Sequence, residues 1–344
     1  MSQWITNIFY RQRKDFQKTY AGRDQQFPPL PGIICQADIP YAGDTLPAHR
    51  LDIYYPEKRQ DVLLPVMINI HGGGLLLGSK EFNRPFCERI AGKGFLVFSI
   101  DYRLVPDCTV FDQFQDIFLA FDFIKENLAH YQGDPDQVYA SGDSGGACLL
   151  TYTAAMQNCK RLAEAAGVTP SALKPVAIGL ISGMFYTTRK DKIGLFLPTY
   201  LYGKHYKKEA FAPYVNPEHE DIVSSLPPCF LTTSHNDNLR DYTVSFARAL
   251  RRHHIPHKLL NLPADRRLTH AFSVFDPSLP ESEALINDML QFLQACQKGR
   301  TYKLTTMKTS LKRKPTKRPD VSGSSLPSCF LPITAQMQRD TCTP

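Results

Sequence analysis

Val138-Tyr139-Ala140-Ser141-Gly142-Asp143-Ser144-Gly145-Gly146-Ala147 is the stretch on which the fold turns. A strand-like run enters a Gly-x-Ser-x-Gly pentapeptide, and a helical pattern follows through Cys148, Leu149, Tyr152, Ala155 and Met156. Alone, such a pentapeptide reads as an ordinary glycine-rich turn. Between a buried strand and a helix it becomes a tight elbow that lifts a serine hydroxyl clear of the sheet. The helix N-terminus beside it favours developing negative charge. Ser144 is therefore the candidate nucleophile.

Outward from this elbow, short apolar runs alternate with helical segments. The strand candidates are Val66–Ile70, Phe95–Ile100, Val138–Ser141, Val176–Ile181, Cys229–Thr233 and Lys258–Leu262, with helical patterns such as Gln113–Asn127 and Tyr242–Arg252 between them. These runs are continuous rather than alternating, which suits strands buried on both faces of a parallel sheet. Two earlier runs, Ile33–Ile39 and His49–Tyr55, flank a turn around Gly43-Asp44. The pattern predicts an α/β fold, a mostly parallel doubly wound sheet of about eight strands with helices on both faces.

Two segments depart from that rhythm. Residues 1–32 open with a helical pattern (Ile5, Ile8, Phe9, Phe16) that ends at Pro28, Pro29, Pro31 and Gly32. Residues 185–225 carry Phe185, Tyr186, Phe196, Tyr200, Tyr202, Tyr206, Phe211 and Tyr214, which reads as a small helical cap over a site, a satellite core cluster, or both. The expected organisation is an N-terminal cap segment (1–32), a core in two parts (33–184 and 226–299), a cap insertion (185–225) and a basic tail (300–344).

Composition narrows the function classes. The 344 residues are 43% hydrophobic and 21% charged, which excludes collagen-like, coiled-coil and wholly disordered chains. No run of about 18 apolar residues exists, so no membrane span is expected. The first residues do not read as a basic and then apolar secretion signal. Of the net charge of +7, residues 298–344 hold ten Lys/Arg and two acids, which leaves −1 for residues 1–297. A neutral body does not advertise a phosphate-binding surface, so no nucleic-acid partner is expected. The tail reads as solvated and dispensable, without periodicity. Nine scattered cysteines without a Cys-x-x-Cys pair give no zinc or redox motif and read as reduced thiols in a cytoplasmic protein.

A second glycine-rich loop completes the chemistry around Ser144. His71-Gly72-Gly73-Gly74 follows the Val66–Ile70 run. Acyl transfer makes a tetrahedral oxyanion that needs unobstructed backbone N–H donors. The N–H groups of Gly72 and Gly73, with that of Gly145, are the expected oxyanion hole, and His71 reads as a residue holding the loop. Gly-Asp-Ser-Gly-Gly also surrounds the nucleophile of trypsin-like proteases. Their pattern requires a histidine and an aspartate upstream of the serine and a proline where Ala147 stands, so that reading fails.

With these motifs in order, residues 33–296 resemble the hormone-sensitive-lipase branch of the α/β-hydrolases, which includes arylacetamide deacetylases and bacterial esterases. Asp101-Tyr102-Arg103-Leu104-Val105-Pro106 and His49-Arg50-Leu51-Asp52-Ile53-Tyr54-Tyr55-Pro56 add to the likeness. The resemblance implies an acid and then a base downstream of the serine. Asp237-Asn238-Leu239-Arg240-Asp241 is similar to the family's Asp-Pro-Leu-Arg-Asp, with Asn238 in the proline's place. Asp237 is the implied acid and Asp241 the runner-up. Thr269-His270-Ala271-Phe272 is similar to His-Gly-Phe, so His270 is the implied base, with His235, His253, His254 and His257 as competitors. The implied function is a serine carboxylesterase acting on short-chain acyl or acetyl esters, with no cofactor and no metal. Its expected partner is a small-molecule ester, and a homodimer stays open. The alternative is a catalytically silent small-molecule binder, since the plant gibberellin receptor resembles the same branch. That receptor lacks the histidine that stands here as His270.

Overall fold

The structure, a computed structural model, describes residues 3–20, 22–58 and 62–297. The basic tail at 300–344 lies outside them. The strands are β1 (Ile33–Pro40), β2 (Arg50–Pro56), β3 (Leu64–Ile70), β4 (Leu96–Ile100), β5 (Gly133–Asp143), β6 (Ala177–Ile181), β7 (Cys229–Ser234) and β8 (His257–Leu262). They form one sheet in the order β1-β2-β4-β3-β5-β6-β7-β8. β1 pairs antiparallel with β2, and β2 with β4, while every pairing from β4 to β8 is parallel.

Continuous apolar runs are what a sheet covered on both faces requires. Successive strand side chains point to opposite faces, and all of Val66, Met67, Ile68 and Ile70 are fully buried. Truncating Ile68 to Ala would therefore cost about 2–5 kcal/mol through lost burial and a residual cavity.

The main helices are α1 (Gln3–Tyr20), α2 (Arg84–Ala91), α3 (Val110–Asn127), α4 (Gly145–Met156), α5 (Lys192–Phe196), α6 (Pro198–Tyr202), α7 (Arg240–Arg252) and α8 (Pro280–Gln297). α2 and α8 close a core around Met67, Val97, Tyr139 and Phe230. α3 begins three residues before the Gln113 expected from periodicity. The cause is a capping box at its N-terminus, where Thr109 N and Oγ1 both donate to Asp112 Oδ2 at 2.8 and 2.7 Å.

The aromatic insertion packs as a cluster on α3 and α4. Phe211 meets Phe111 at 5.1 Å and Tyr152 at 5.8 Å between ring centroids, and Tyr202 stacks on Phe211. α1 lies beside the insertion through an edge-to-face contact of Phe9 with Tyr200 at 5.1 Å. No helix of the described residues is long and apolar enough to cross a membrane.

Candidate active site

Parallel register brings the loop-bearing strand ends to one edge. Ile70 pairs with Gly142, Asp143 with Ile181, Ile181 with Thr232, and Ser234 with Leu262. The loops carrying His71, Ser144, Asp237 and His270 all leave from this edge, the carboxyl ends of the strands where α/β folds place their sites.

Ser144 follows β5 directly and caps α4. Its φ of +51° and ψ of −114° form the strained turn of an elbow. The turn closes only without a side chain at 146, where a Cβ would stand 2.1 Å from Ile70 O and 2.5 Å from His71 O. The turn is clamped, with Ser144 N donating to Ile181 O and Met184 N donating to Ser144 O, both at 2.9 Å. Ser144 Oγ is buried and makes no hydrogen bond among the described residues. A buried hydroxyl normally finds a partner, which makes this one a candidate reactive group.

Asp237 lies in the turn after β7. Its Oδ1 accepts from His270 Nδ1 at 2.8 Å and from Leu239 N at 2.9 Å, and its Oδ2 accepts from Thr233 Oγ1 at 2.7 Å. Burial pushes this carboxyl up, but the neighbouring His270 and the donors around it prevail and hold it below the ordinary carboxylate range. Asp241, by contrast, is exposed and pairs with its neighbour Arg240 at 3.6 Å. Of the two implied acids, the structure brings Asp237 to the histidine and leaves Asp241 in solvent.

The competing histidines stand elsewhere. His235 and His254 are exposed, and His253, His254 and His257 lie at the amino end of β8, away from the site edge. His71 is buried within the glycine-rich loop. Its ring stacks on Tyr102 at 4.3 Å, its Nδ1 lies 2.7 Å from Gly72 O, and its Nε2 faces Asp101 at 3.3 Å. Tyr102 in turn donates to His71 O at 2.8 Å.

One expected oxyanion donor is engaged elsewhere. Gly72 N donates to Asp143 Oδ1 at 3.0 Å, so this amide is turned toward the buried carboxylate and is not free for an oxyanion. The chain then reverses at Gly73, whose φ of +118° no side chain tolerates well. Past that reversal, Gly74 N and Leu75 N lie 3.1 and 2.9 Å from where a Cβ on Gly145 would stand. The loop thus faces Gly145 with its later amides.

Sequence reasoning passed over Arg13 on α1. Its guanidinium donates to Leu76 O, Leu104 O and Val105 O at 2.6–2.9 Å and pairs with Asp107 at 2.6 Å. That pins α1 to the loops after β3 and β4. A cavity of about 240 Å³ lies beside it, lined by Arg13, Phe16, Arg23, Gly78 and Ser79 among others.

Residues 51–247 match the model of the BD-FAE family, more than half of the chain. The chain belongs to this family. A carboxylesterase of Mycobacterium tuberculosis is 28% identical over 240 residues, 66% of this chain and 72% of its own length. A probable isoprenylcysteine alpha-carbonyl methylesterase of Oryza sativa subsp. japonica is 32% identical over 194 residues, 54% of this chain, and the match spans 45% of that relative. Among solved structures, esterase B from Lactobacillus rhamnosis superposes with a TM-score of 0.78 at 25% identity, covering 86% of this chain and 97% of that one. This member of the BD-FAE family has the α/β-hydrolase fold of hormone-sensitive-lipase-like esterases and is a carboxylic ester hydrolase.

Proposed function

We propose that the protein is a serine carboxylesterase that hydrolyses short-chain acyl or acetyl esters through Ser144, His270 and Asp237. The observation that carries this reading is the Asp237–His270 contact at 2.8 Å on the edge where the partnerless Ser144 Oγ is buried. In this reading His270 Nε2 takes the proton from Ser144 Oγ as the oxygen attacks the ester carbonyl. Asp237 holds Nδ1–H and stabilises the imidazolium. The amides of Gly73, Gly74 and Gly145 hold the oxyanion, with Gly72 serving the loop instead. The alkoxy C–O bond then breaks, and the alcohol departs with the proton from His270. Water repeats the cycle on the acyl-enzyme and frees the acid.

α1 and residues 185–225 act as the cap in this account. The aromatic cluster of Phe111, Tyr152, Tyr202 and Phe211 packs the insertion tightly on α3 and α4, and a tightly filled cap favours short acyl chains over long ones. The related esterase B is known in a form inhibited by a tributyrin phosphonate, a short-chain ester mimic. The cysteines of the described residues are all free thiols, which supports a reducing, cytoplasmic setting.

Hydrolysis of a 4-nitrophenyl ester panel from acetate to palmitate, by the wild-type chain and by Ser144→Ala, tests the proposal. An isoprenylcysteine methyl ester belongs in the same panel because relatives are named for that activity. Activity on short esters that vanishes in Ser144→Ala is the expected result. No hydrolysis by the wild-type chain would favour a silent binder.

A further inference from the structure

The segment leaving β6 touches every part of the constellation. Ile181 O and Met184 N clamp the backbone of Ser144 from either side. Between them stands Ser182, fully buried, in the left-handed region at φ +49°. Its N–H donates to Thr232 O on β7 at 2.8 Å. Its Oγ accepts the N–H of Ala271, the residue after His270, at 3.0 Å. Ser182 is also among the groups that hold the Asp237 carboxyl below its ordinary value. One buried residue therefore meets β7 through its amide and the base loop through its hydroxyl.

We propose that Ser182 is a positioning residue of this site: its amide is fixed to β7, the strand that leads into the Asp237 turn, and its hydroxyl holds the amide after His270, which keeps the imidazole aligned on Ser144. The inference rests on the esterase reading above and adds a residue that no motif marks. Thr233 and Leu239 also hold Asp237, but each belongs to the acid's own strand and turn. Ser182 reaches across from β6 to both β7 and the base loop, a junction where Ser234 Oγ on β7 also donates to Leu268 O. The backbone supports the same view. Ala271 is also left-handed, at φ +47°, so the hydrogen bond joins two non-glycine residues in a conformation that glycine takes more readily. Glycine at 182 would relieve the backbone, but it would lose the hydroxyl.

The test compares Ser182→Ala with Ser182→Gly, because glycine accepts this φ and separates the hydroxyl from the backbone. Because a misplaced base costs up to about 100-fold, kcat on 4-nitrophenyl acetate should fall about 10- to 100-fold in both. KM should stay within about twofold, since substrate contacts are untouched. In an Asp237→Asn background, adding Ser182→Ala should lower kcat by less than about threefold, because the carboxylate against which the imidazole is aligned has already gone. A purely structural role would give additive losses. A readout independent of activity is the downfield proton resonance of His270 Nδ1–H, which should shift or broaden in both single variants. Wild-type kcat in both variants, additive losses, or an unmoved resonance would each overturn the proposal. If the wild-type chain hydrolyses nothing, the esterase reading fails, while the resonance still decides the role of Ser182.

Discussion

Asp143 offers the sharpest test of how the glycine-rich loop is held. Its buried carboxylate precedes Ser144, and Oδ1 accepts from Gly72 N at 3.0 Å and from Asn83 Nδ2 at 2.8 Å. Burial raises this carboxyl above its ordinary value. The bond from Asn83, the nearby His71 and His270, and the Gly72 amide offset that only in part. Replacing Asp143 with Ala deletes the acceptor and leaves two buried donors unpaired, at about 1–3 kcal/mol each. Removing a desolvated carboxylate returns part of that loss, so a net destabilisation of about 2–4 kcal/mol is expected. With Gly73 no longer anchored through its neighbour, kcat/KM on 4-nitrophenyl acetate should fall about 10²-fold, comparable to losing one oxyanion donor.

Urea unfolding followed by far-ultraviolet circular dichroism, together with steady-state kinetics, supplies both numbers. Asp143→Asn is the control, since its amide oxygen can still accept from Gly72 N, and its stability at pH 7 should stay within about 1 kcal/mol of wild type. The pH dependence has a definite sign. A carboxyl with a raised folded value binds its proton more tightly in the folded chain than in the unfolded one. Its contribution to stability therefore falls as pH rises from the unfolded value through the folded one. Asn lacks that titration, so it should gain on wild type across this window and hold a constant difference above it. An Asp143→Ala chain with wild-type stability and wild-type kcat would refute the anchor argument.

Four further outcomes are expected. Ser144→Ala should lose at least about 10³-fold in kcat while its urea midpoint stays unchanged, and it should no longer be labelled by a phosphonate ester. Asp237→Asn should cost about 10³–10⁴-fold in kcat and Asp241→Asn nothing measurable, with the reverse pattern moving the acid to Asp241. Because the folded value of Asp237 is depressed, its stabilising contribution is present above the unfolded value and is lost as pH falls through the folded one; acid titrations of the wild type against Asp237→Asn would show this. Along the acyl series, activity should peak at or below about octanoate, since buried aromatic side chains leave little room to extend a pocket. A maximum at palmitate with interfacial activation would refute the short-chain reading.

Much of this architecture can be read directly from residues. Strands buried on both faces announce themselves as apolar runs, so Val66–Ile70 and Cys229–Thr233 fall within a residue or two of β3 and β7. Helix starts depend on capping, and the Thr109–Asp112 spacing held the signal for the earlier start of α3. Arg13 was also visible in principle, since positions 9, 13 and 16 share one face of a helix with an apolar inward stripe. Which amide of the glycine loop points inward could not be read. That depends on φ at Gly73 and on a carboxylate 71 residues away from Gly72. Ser182 leaves no local trace either, because its role arises only when β6 and β7 lie side by side.

The division of labour in the fold follows from the same geometry. β3, β5, β6 and β7 are consecutive in the sheet, and their parallel register sets the spacing of the loops that leave them. Ser144, the glycine loop and Asp237 thus depend on backbone placed by central strands, where a shift of one residue would carry every side chain to the wrong face. The parts that would choose a substrate are attached differently. α1 is held by Arg13 and by Phe9 against Tyr200, and residues 185–225 by an aromatic cluster on α3 and α4. Changes in that cluster alter volume without moving a strand end. Selectivity among esters should therefore respond to substitution at Phe211 or Tyr202, while the elbow and its partners keep their geometry.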